Sequence, residues 1–276
     1  ELFHFNQDKN LKNIFSPGNH YIGNVYHIME DREGTLWFST KGQGLVRAVR
    51  DQTSSAGYRF NKYMHDPYNS NSISSNDVYY TYQDSKGRIW VATFGGGLNL
   101  LQEERGHVLF KHKYNSFSNY PEYGQYMEVR AIVEDEKGRI WVGTSDGLMS
   151  FKGDYPLSKE IAFETYQNDL NFSNNDVYVL YKDKSETIWI SIFGVGLNRL
   201  ARYDETRKMP AFESYGLGSG INSDVILSII EDDYNNLWLS TEKGVSRFNL
   251  KTRTFRNFDK PDGLHDYSLE EASATK

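Results

Sequence analysis

Three carboxylates, Glu128, Asp176 and Asp224, each stand just ahead of a short apolar run that reads as a β-strand. Two such groups facing each other across a sugar would act as acid and base, or acid and nucleophile, in glycoside hydrolysis. Their surroundings point elsewhere. Ser75-Asn76-Asp77, Asn175-Asp176 and Asn222-Ser223-Asp224 are turn-forming runs that recur along the chain. The seven histidines (His4, His20, His27, His65, His107, His112 and His265) form no His-x-x-x-His pair beside an acid, so no metal site is expected. Gly95-Gly96-Gly97 lacks the lysine and helix of a phosphate loop and occupies the same place as Gly42-Gln43-Gly44, so it reads as a strand connector. Zero cysteines exclude disulfides, thiolate catalysis and cysteine zinc sites. The expectation is no catalytic residue, no metal and no cofactor.

What these residues sit on is a repeat. Asp31 and Trp37, Asp84 and Trp90, Asp135 and Trp141, Asp183 and Trp189, and Asp232 and Trp238 are each six apart, and these are the only five tryptophans in the chain. Successive tryptophans lie 53, 51, 48 and 49 residues apart, the period of a repeat architecture. The aspartate can accept hydrogen bonds from the backbone N–H groups that follow it, and Gly34, Gly87 or Gly138 three residues on supplies positive φ. Asn235 suits that place; Glu186 does not, which predicts a different turn in the fourth copy. The Asp-x-x-Gly-x-x-Trp turn is similar to a sialidase Asp-box. That is a structural hairpin too, and the arginine cluster a sialidase needs is missing, since the first strands carry only Arg130.

Four strands fit each repeat. The first covers Val25–Glu30, Val78–Gln83, Val129–Glu134, Val177–Lys182 and Ile226–Glu231. The second, carrying the tryptophan, covers Leu36–Thr40, Ile89–Thr93, Ile140–Thr144, Ile188–Ile192 and Leu237–Thr241. The third begins at Leu45, Leu98, Leu148, Leu197 and Val245. The fourth is aromatic: Tyr58–Tyr63, Val108–Tyr114, Ala162–Tyr166, Ala211–Tyr215 and Thr254–Phe258. No stretch keeps a 3.6-residue apolar period, so no long helix is expected. The fold class is all-β: a β-propeller of four-stranded antiparallel blades, with five repeats at about residues 20–66, 73–115, 124–168, 172–217 and 221–260. Each tryptophan is expected to pack on the neighbouring blade. Leu2–Asn6, within residues 1–10, reads as the fourth strand of a preceding blade, and Tyr267–Ala274, within residues 261–276, as the start of a further one. The expected parent is a larger propeller.

The formal charge of −6 is spread without basic blocks, which argues against a nucleic-acid surface. No apolar run approaches the ~18 residues that would cross a bilayer.

The pattern V-x-x-I-x-E-D-x-x-G-x-[LI]-W-[IVL]-[GS]-T-x-x-G-[LV]-x-x-F, with S-N-D-V ahead of it, resembles the two-component regulator propeller repeat. Ile132 to Leu148 is the cleanest match, and the resemblance runs over nearly the whole chain in five copies. Glu186 and the extra residue between Asp224 and Trp238 are the departures. The resemblance implies the periplasmic sensor of a hybrid two-component histidine kinase of Bacteroides type, with the kinase elsewhere on the protein. It further implies detection, or relay of detection, of polysaccharide fragments, seven-bladed closure and self-association through propellers.

Alternate connections of a blade fall on opposite edges. The loops into the first strand and between the second and third strands therefore share one edge, and the aspartate turns take the other. The first edge collects Asn76, Asp77, Glu128, Arg130, Asn175, Asp176 and Asp224 with Lys41, Gln43, Phe94, Asp146, Phe193 and Lys243, the expected ligand-binding residues. Phe94 and Phe193 fall where Lys41, Asp146 and Glu242 or Lys243 stand in other copies, so a large apolar residue is not a packing requirement there. Most tyrosines read as interblade packing. A non-catalytic sensor of oligosaccharides is the leading expectation. A propeller-fold glycosidase or polysaccharide lyase, and a ligand-free dimerisation scaffold, are the alternatives.

Overall fold

A computed structural model of the chain describes residues 24–54, 57–121, 126–153, 161–166 and 175–264. Each repeat folds into one four-stranded antiparallel sheet whose strands pair in sequence order. The first sheet holds β1 (Val25–Glu30), β2 (Leu36–Thr40), β3 (Leu45–Arg50) and β4 (Tyr58–Tyr63). The second holds β5 (Val78–Gln83), β6 (Ile89–Thr93), β7 (Gly97–Glu104) and β8 (His107–Lys111). The third is β9 (Val129–Glu134), β10 (Arg139–Thr144), β11 (Gly147–Lys152) and β12 (Glu164–Tyr166). The fourth is β13 (Val177–Lys182), β14 (Ile188–Ile192), β15 (Gly196–Asp204) and β16 (Met209–Tyr215), and the fifth is β17 (Ile226–Glu231), β18 (Asn236–Thr241), β19 (Gly244–Asn249) and β20 (Thr254–Phe258). These are β-propeller blades. Two compact units divide the chain, Glu1–Ser116 with blades 1 and 2, and Phe117–Lys276 with blades 3 to 5. The terminal strands expected at Leu2–Asn6 and Tyr267–Ala274 lie outside the described residues.

All five first strands fall where the alternation places them. The fourth strands differ. β8 ends at Lys111 rather than Tyr114, because His112 turns out of the ladder: its backbone N–H bonds Asn115 Oδ1 at 2.9 Å and its Nε2 meets the Ser72 carbonyl at 3.1 Å. β12 keeps only Glu164–Tyr166 of the expected Ala162–Tyr166.

The six-residue Asp–Trp spacing has a direct cause. In every blade the indole Nε1–H donates to the Oδ2 of that blade's aspartate, at 2.7 Å in blade 1, 2.8 Å in blades 2, 4 and 5, and 2.9 Å in blade 3. The Oδ1 of the same carboxylate accepts two backbone N–H groups of the turn, for example from Lys137 and Arg139 to Asp135, both at 2.9 Å. The turn is the same in all copies, which corrects the expectation for Glu186. Its N–H bonds the Asp183 carbonyl at 2.9 Å as Gly138 bonds Asp135, and it takes φ 63° where Gly138 takes 75°. A non-glycine residue is held in the left-handed region there because the aspartate network fixes the turn around it.

Held by their carboxylates, Trp37, Trp141 and Trp189 reach the following blade within their unit. Trp37 lies in a core with Ile73, Val78, Ile89, Val91 and Phe110 of blade 2. Trp141 packs with Val177, Leu180, Ile188, Ile190 and Ile192 of blade 4, and Trp189 with Ile226, Ile229, Leu237, Leu239 and Phe248 of blade 5. Trp238 is half-buried and stacks on Phe258 of its own blade at 5.4 Å.

Polar clasps tie the blades at the turn edge. The last residue of a first strand accepts a backbone N–H from the preceding blade's turn: Arg32 N–H to Gln83 Oε1 at 2.9 Å, and Lys184 N–H to Glu231 Oε2 at 2.7 Å. Blade 4 has Lys182 in that place, and an ammonium has no acceptor. Lys182 pairs instead with Glu186 at 2.6 Å, within its own blade. Blades 3 and 4 are joined further out. Glu164 of blade 3 accepts from Arg139 at 2.6 Å, from Tyr203 of blade 4 at 2.5 Å and from Tyr166 at 3.2 Å, with Lys208 at 3.1 Å. The Arg139 guanidinium also lies 4.0 Å from the Tyr203 ring centroid. Burial pushes Glu164 upward, but the hydrogen bonds from Tyr203 and Lys208 and the Arg139 charge hold it below the usual carboxylate range. Tyr166, buried beside this carboxylate, is pushed up to about 12.

Two outcomes follow for chemical denaturation. Trp141→Ala removes a fully buried side chain and is expected to cost about 3–5 kcal/mol, whereas Asp146→Ala on the opposite edge stays within about 0.5 kcal/mol; equal losses would show the blade register to be wrong. Gln83→Ala and Glu231→Ala each leave a turn N–H without its clasp and are expected to cost about 1–2 kcal/mol. Lys182→Ala, where no clasp exists, is expected to change stability by less than about 0.5 kcal/mol; a loss as large as the other two would contradict the assignment.

Candidate functional site

The edge opposite the aspartate turns is built by a second repeated device. A threonine ending the second strand donates to the carbonyl of the glycine that opens the third: Thr40 to Gly44 at 2.6 Å, Thr93 to Gly97 at 2.7 Å, Thr144 to Gly147 at 2.8 Å and Thr241 to Gly244 at 2.9 Å. Gly44 takes φ 73°, and a Cβ there would stand 2.1 Å from the Tyr63 carbonyl, so only glycine fits. The next loop residue donates its N–H back to the residue ahead of the first strand: Lys41 to Asn24 at 2.9 Å, Phe94 to Asp77 at 2.8 Å, Ser145 to Glu128 at 3.1 Å and Phe193 to Asp176 at 2.9 Å.

This pairing corrects one equivalence and bears out the one-residue offset expected in blade 5. Ser145, not Asp146, occupies the place of Phe94 and Phe193 in blade 3. In blade 5 the register Ile226↔Thr241 matches Val177↔Ile192, so Val225 stands where Asp176 does and Asp224 lies one residue outside.

Each first strand then bulges at its second residue. Between Val25 and His27, Val78 and Tyr80, Val129 and Ala131, Val177 and Val179, and Ile226 and Ser228, two steps on the first strand meet one on the second. The extra residues are Tyr26, Tyr79, Arg130, Tyr178 and Leu227. A bulge re-aims a side chain out of the alternation, and here it aligns side chains into rows. In the first unit Tyr26 stacks on Tyr79 at 4.4 Å, and Tyr79 on Phe94 at 5.3 Å. In the second, the Arg130 guanidinium lies 4.7 Å from the Tyr178 centroid and Tyr178 stacks on Phe193 at 5.7 Å. Phe94 and Phe193 therefore each pack on the tyrosine of their own blade, although Lys41 and Ser145 hold the same place in other blades. Phe193 still leaves 37% of its surface exposed.

Charge is ordered around the second row. Arg130 Nε donates to Ser145 Oγ at 3.2 Å and lies 3.2 Å from Asp176 Oδ1, so one cation bridges blades 3 and 4. Burial raises the Asp176 pKa above the usual carboxylate range, and Glu128 adds to the rise while Arg130 and Ser145 oppose it. Asn175 lies half-buried beside it.

Other expected residues serve the frame as well. Asn76 Oδ1 accepts the His65 N–H at 2.8 Å and its carbonyl accepts Gly44 N–H at 2.9 Å; Gln43 Oε1 accepts from Lys62 at 2.6 Å. Asp146 is half-buried and donates its N–H to Thr144 Oγ1 at 3.1 Å. Lys41 and Lys243 are exposed, and the Lys243 carbonyl accepts from Asn222 at 2.8 Å. Among the described residues no group of three or more His, Asp or Glu converges as a metal site. His27 stacks on Tyr80 at 3.9 Å and burial lowers its pKa to about 4, so it is neutral at pH 7.

A cleft of about 320 Å³ opens on the other edge, between the turns of blades 3 and 4, lined by Glu136, Lys137, Glu186, Arg199, Arg202 and Tyr203 among others. It is lined by Glu186, the partner of Lys182, and lies where β15 bulges between Leu200 and Arg202.

Residues 22–42, 72–95, 124–146 and 220–243 match the family described as two component regulator propeller. Four of the five repeats are thus similar to the two-component regulator propeller repeat. The repeat without a match is the fourth, the one with Glu186 in the turn and Ile192 in place of the threonine. A histidine kinase of Formosa agariphila is 26% identical over 200 residues, which is 70% of this chain and 14% of that protein. A B. thetaiotaomicron structure described as the extracellular domain of a hybrid two component system is 22% identical, with TM-score 0.64 over 94% of this chain and 31% of that one. A second from the same organism, described as the extracellular domain of a one component system, is 23% identical, with TM-score 0.61 over 86% and 30%. Virginiamycin B lyase of Staphylococcus aureus is 12% identical, with TM-score 0.59 over 86% and 70%. At these identities the structures share the propeller fold. The chain thus spans a minor part of the kinase and of the two B. thetaiotaomicron proteins.

Sequence reading of the repeats groups the loop residues on one edge, where the structure also places Tyr26, Tyr79, Tyr178 and Ser145, which that reading misses. The signal was available in part: all the bulge residues lie eleven before their tryptophan, and that position varies from Tyr to Arg to Leu. If the Arg130–Asp176 pair holds the carboxylate charged, Arg130→Met is expected to move the Asp176 titration to still higher pH, followed by carboxyl NMR; an unchanged midpoint would show that the pair does not form in solution.

Proposed function

We propose that these repeats form a non-catalytic, extracytoplasmic sensor module of a hybrid two-component signalling protein. In this reading they face the periplasm, bind a polysaccharide-derived oligosaccharide on the edge where the first strands begin, and pass its presence to a kinase carried elsewhere on the same protein, which controls genes of carbohydrate use. Self-association through propellers belongs to the relay.

The observation that carries this reading is the row of Arg130, Tyr178 and Phe193, with its counterpart Tyr26, Tyr79 and Phe94. An aromatic face beside carboxylates and amides suits a sugar, which offers an apolar ring face and a rim of hydroxyls. The aspartate turns on the other edge have their carboxylates committed to the Trp indole and the turn backbone, as scaffolding requires. The family match and the solved extracellular domains support the sensor role.

A propeller-fold glycosidase or lyase is the competing reading, favoured by the raised pKa of Asp176 and the lyase of the same fold. Against it, the Asp176 carboxylate is paired with Arg130 and bound into the frame, and fold does not carry activity.

Calorimetric titration with host and plant oligosaccharides tests the reading. Binding is expected, no new reducing ends should form, and Phe193→Ala should weaken affinity at least tenfold while Lys137→Ala, in the turn-edge cleft, leaves it unchanged. Loss of affinity only in Lys137→Ala would move the site to the cleft, and turnover abolished by Asp176→Asn would make the protein an enzyme.

A further inference from the structure

Resting on the oligosaccharide reading above, we infer that the ligand taken by blades 3 to 5 is uncharged, excluding uronate-bearing and sulfated sugars. The argument is electrostatic. The edge where β9, β13 and β17 begin carries Glu128, Asp146, Asp176, Asp224 and Glu242 against Arg130 and Lys243. Blade contacts bring these strand starts together: Arg130 of blade 3 meets Asp176 of blade 4, and Ser191 of blade 4 donates to the Ile226 carbonyl of blade 5 at 2.6 Å.

Recognition of a carboxylate or sulfate ester calls for an arginine fork presented to the ligand. Among the described residues Arg130 is the arginine at these strand starts, and its Nε is already engaged. Its side chain is 13% exposed, it lies over Tyr178, its Nε is shared between Ser145 and Asp176, and that pairing neutralises it. Lys243 remains exposed beside Glu242. With Arg130 and Asp176 counted as a neutral pair, an anionic sugar on this edge would still meet an excess of carboxylates, Glu128, Asp146, Asp224 and Glu242 against Lys243. A neutral sugar meets the same groups as acceptors. Its hydroxyls donate to carboxylate oxygens, and its ring face lies on the exposed part of Phe193.

The test is calorimetry of the chain with two sets of oligosaccharides, neutral (xylo-, arabino- and manno-oligosaccharides) and acidic (oligogalacturonides and heparin fragments), each at low and at physiological salt. A neutral ligand is expected to bind with an affinity that salt changes less than twofold, and every acidic one at least tenfold more weakly. In Asp146→Asn/Glu242→Gln, both positions lying outside the buried core, that discrimination should narrow. An acidic oligosaccharide that binds more tightly than every neutral one, with affinity falling as salt rises, would overturn the inference and leave the sensor reading standing. Silence from both sets would overturn the oligosaccharide reading, and this inference with it.

Discussion

One carboxylate per blade carries the architecture. Asp135 shows how: one oxygen takes two backbone N–H groups and so closes the hairpin, and the other takes the indole N–H of Trp141. Turn geometry and the position of the largest core side chain are thereby set by a single residue. The tryptophan then fills the interface with the next blade, so a local hydrogen bond determines a tertiary contact. A buried indole N–H without an acceptor would cost on the order of 1–3 kcal/mol. This is why the Asp–Trp spacing stays at six while the repeat length wanders between 48 and 53.

The same bond explains which parts of the fold are legible in the sequence. First and second strands flank the aspartate turn, and their ends are pinned by it, so alternation alone places them. The fourth strands are far from that anchor. Aromatic pairs mark them only loosely, as Tyr114 shows: it reads as strand and is a 62% exposed residue beyond the ladder, inside the turn that His112 and Asn115 close. Glu186 is illegible for a related reason. Propensity disfavours the left-handed region for a glutamate, yet the network around Asp183 fixes that conformation, and tertiary context overrides the local preference.

The candidate site was half visible. Loop logic gives the edge, and the two phenylalanines stand out against polar equivalents. What alternation cannot show is the bulge, because one extra residue breaks the period of two on which strand reading depends. Tyr79 and Tyr178 therefore looked like ordinary strand tyrosines. Their stacking on Phe94 and Phe193 follows from the bulge and from the loop hydrogen bonds that fix the phenylalanine backbones, neither of which a propensity records.

The joint between blades 3 and 4 departs from the pattern in a consistent way. Lys182 cannot accept the turn N–H that Gln83 and Glu231 accept in their blades, and a cleft opens at that edge. Compensation comes from two charged contacts elsewhere on the same joint: Arg139 with Glu164 and Tyr203 toward the outer strands, and Arg130 with Asp176 at the strand starts. The second of these is also the pair that neutralises the cation of the candidate site. Holding the blades together and setting the charge of the site are thus one interaction, and any group that engages Asp176 acts on the joint as well.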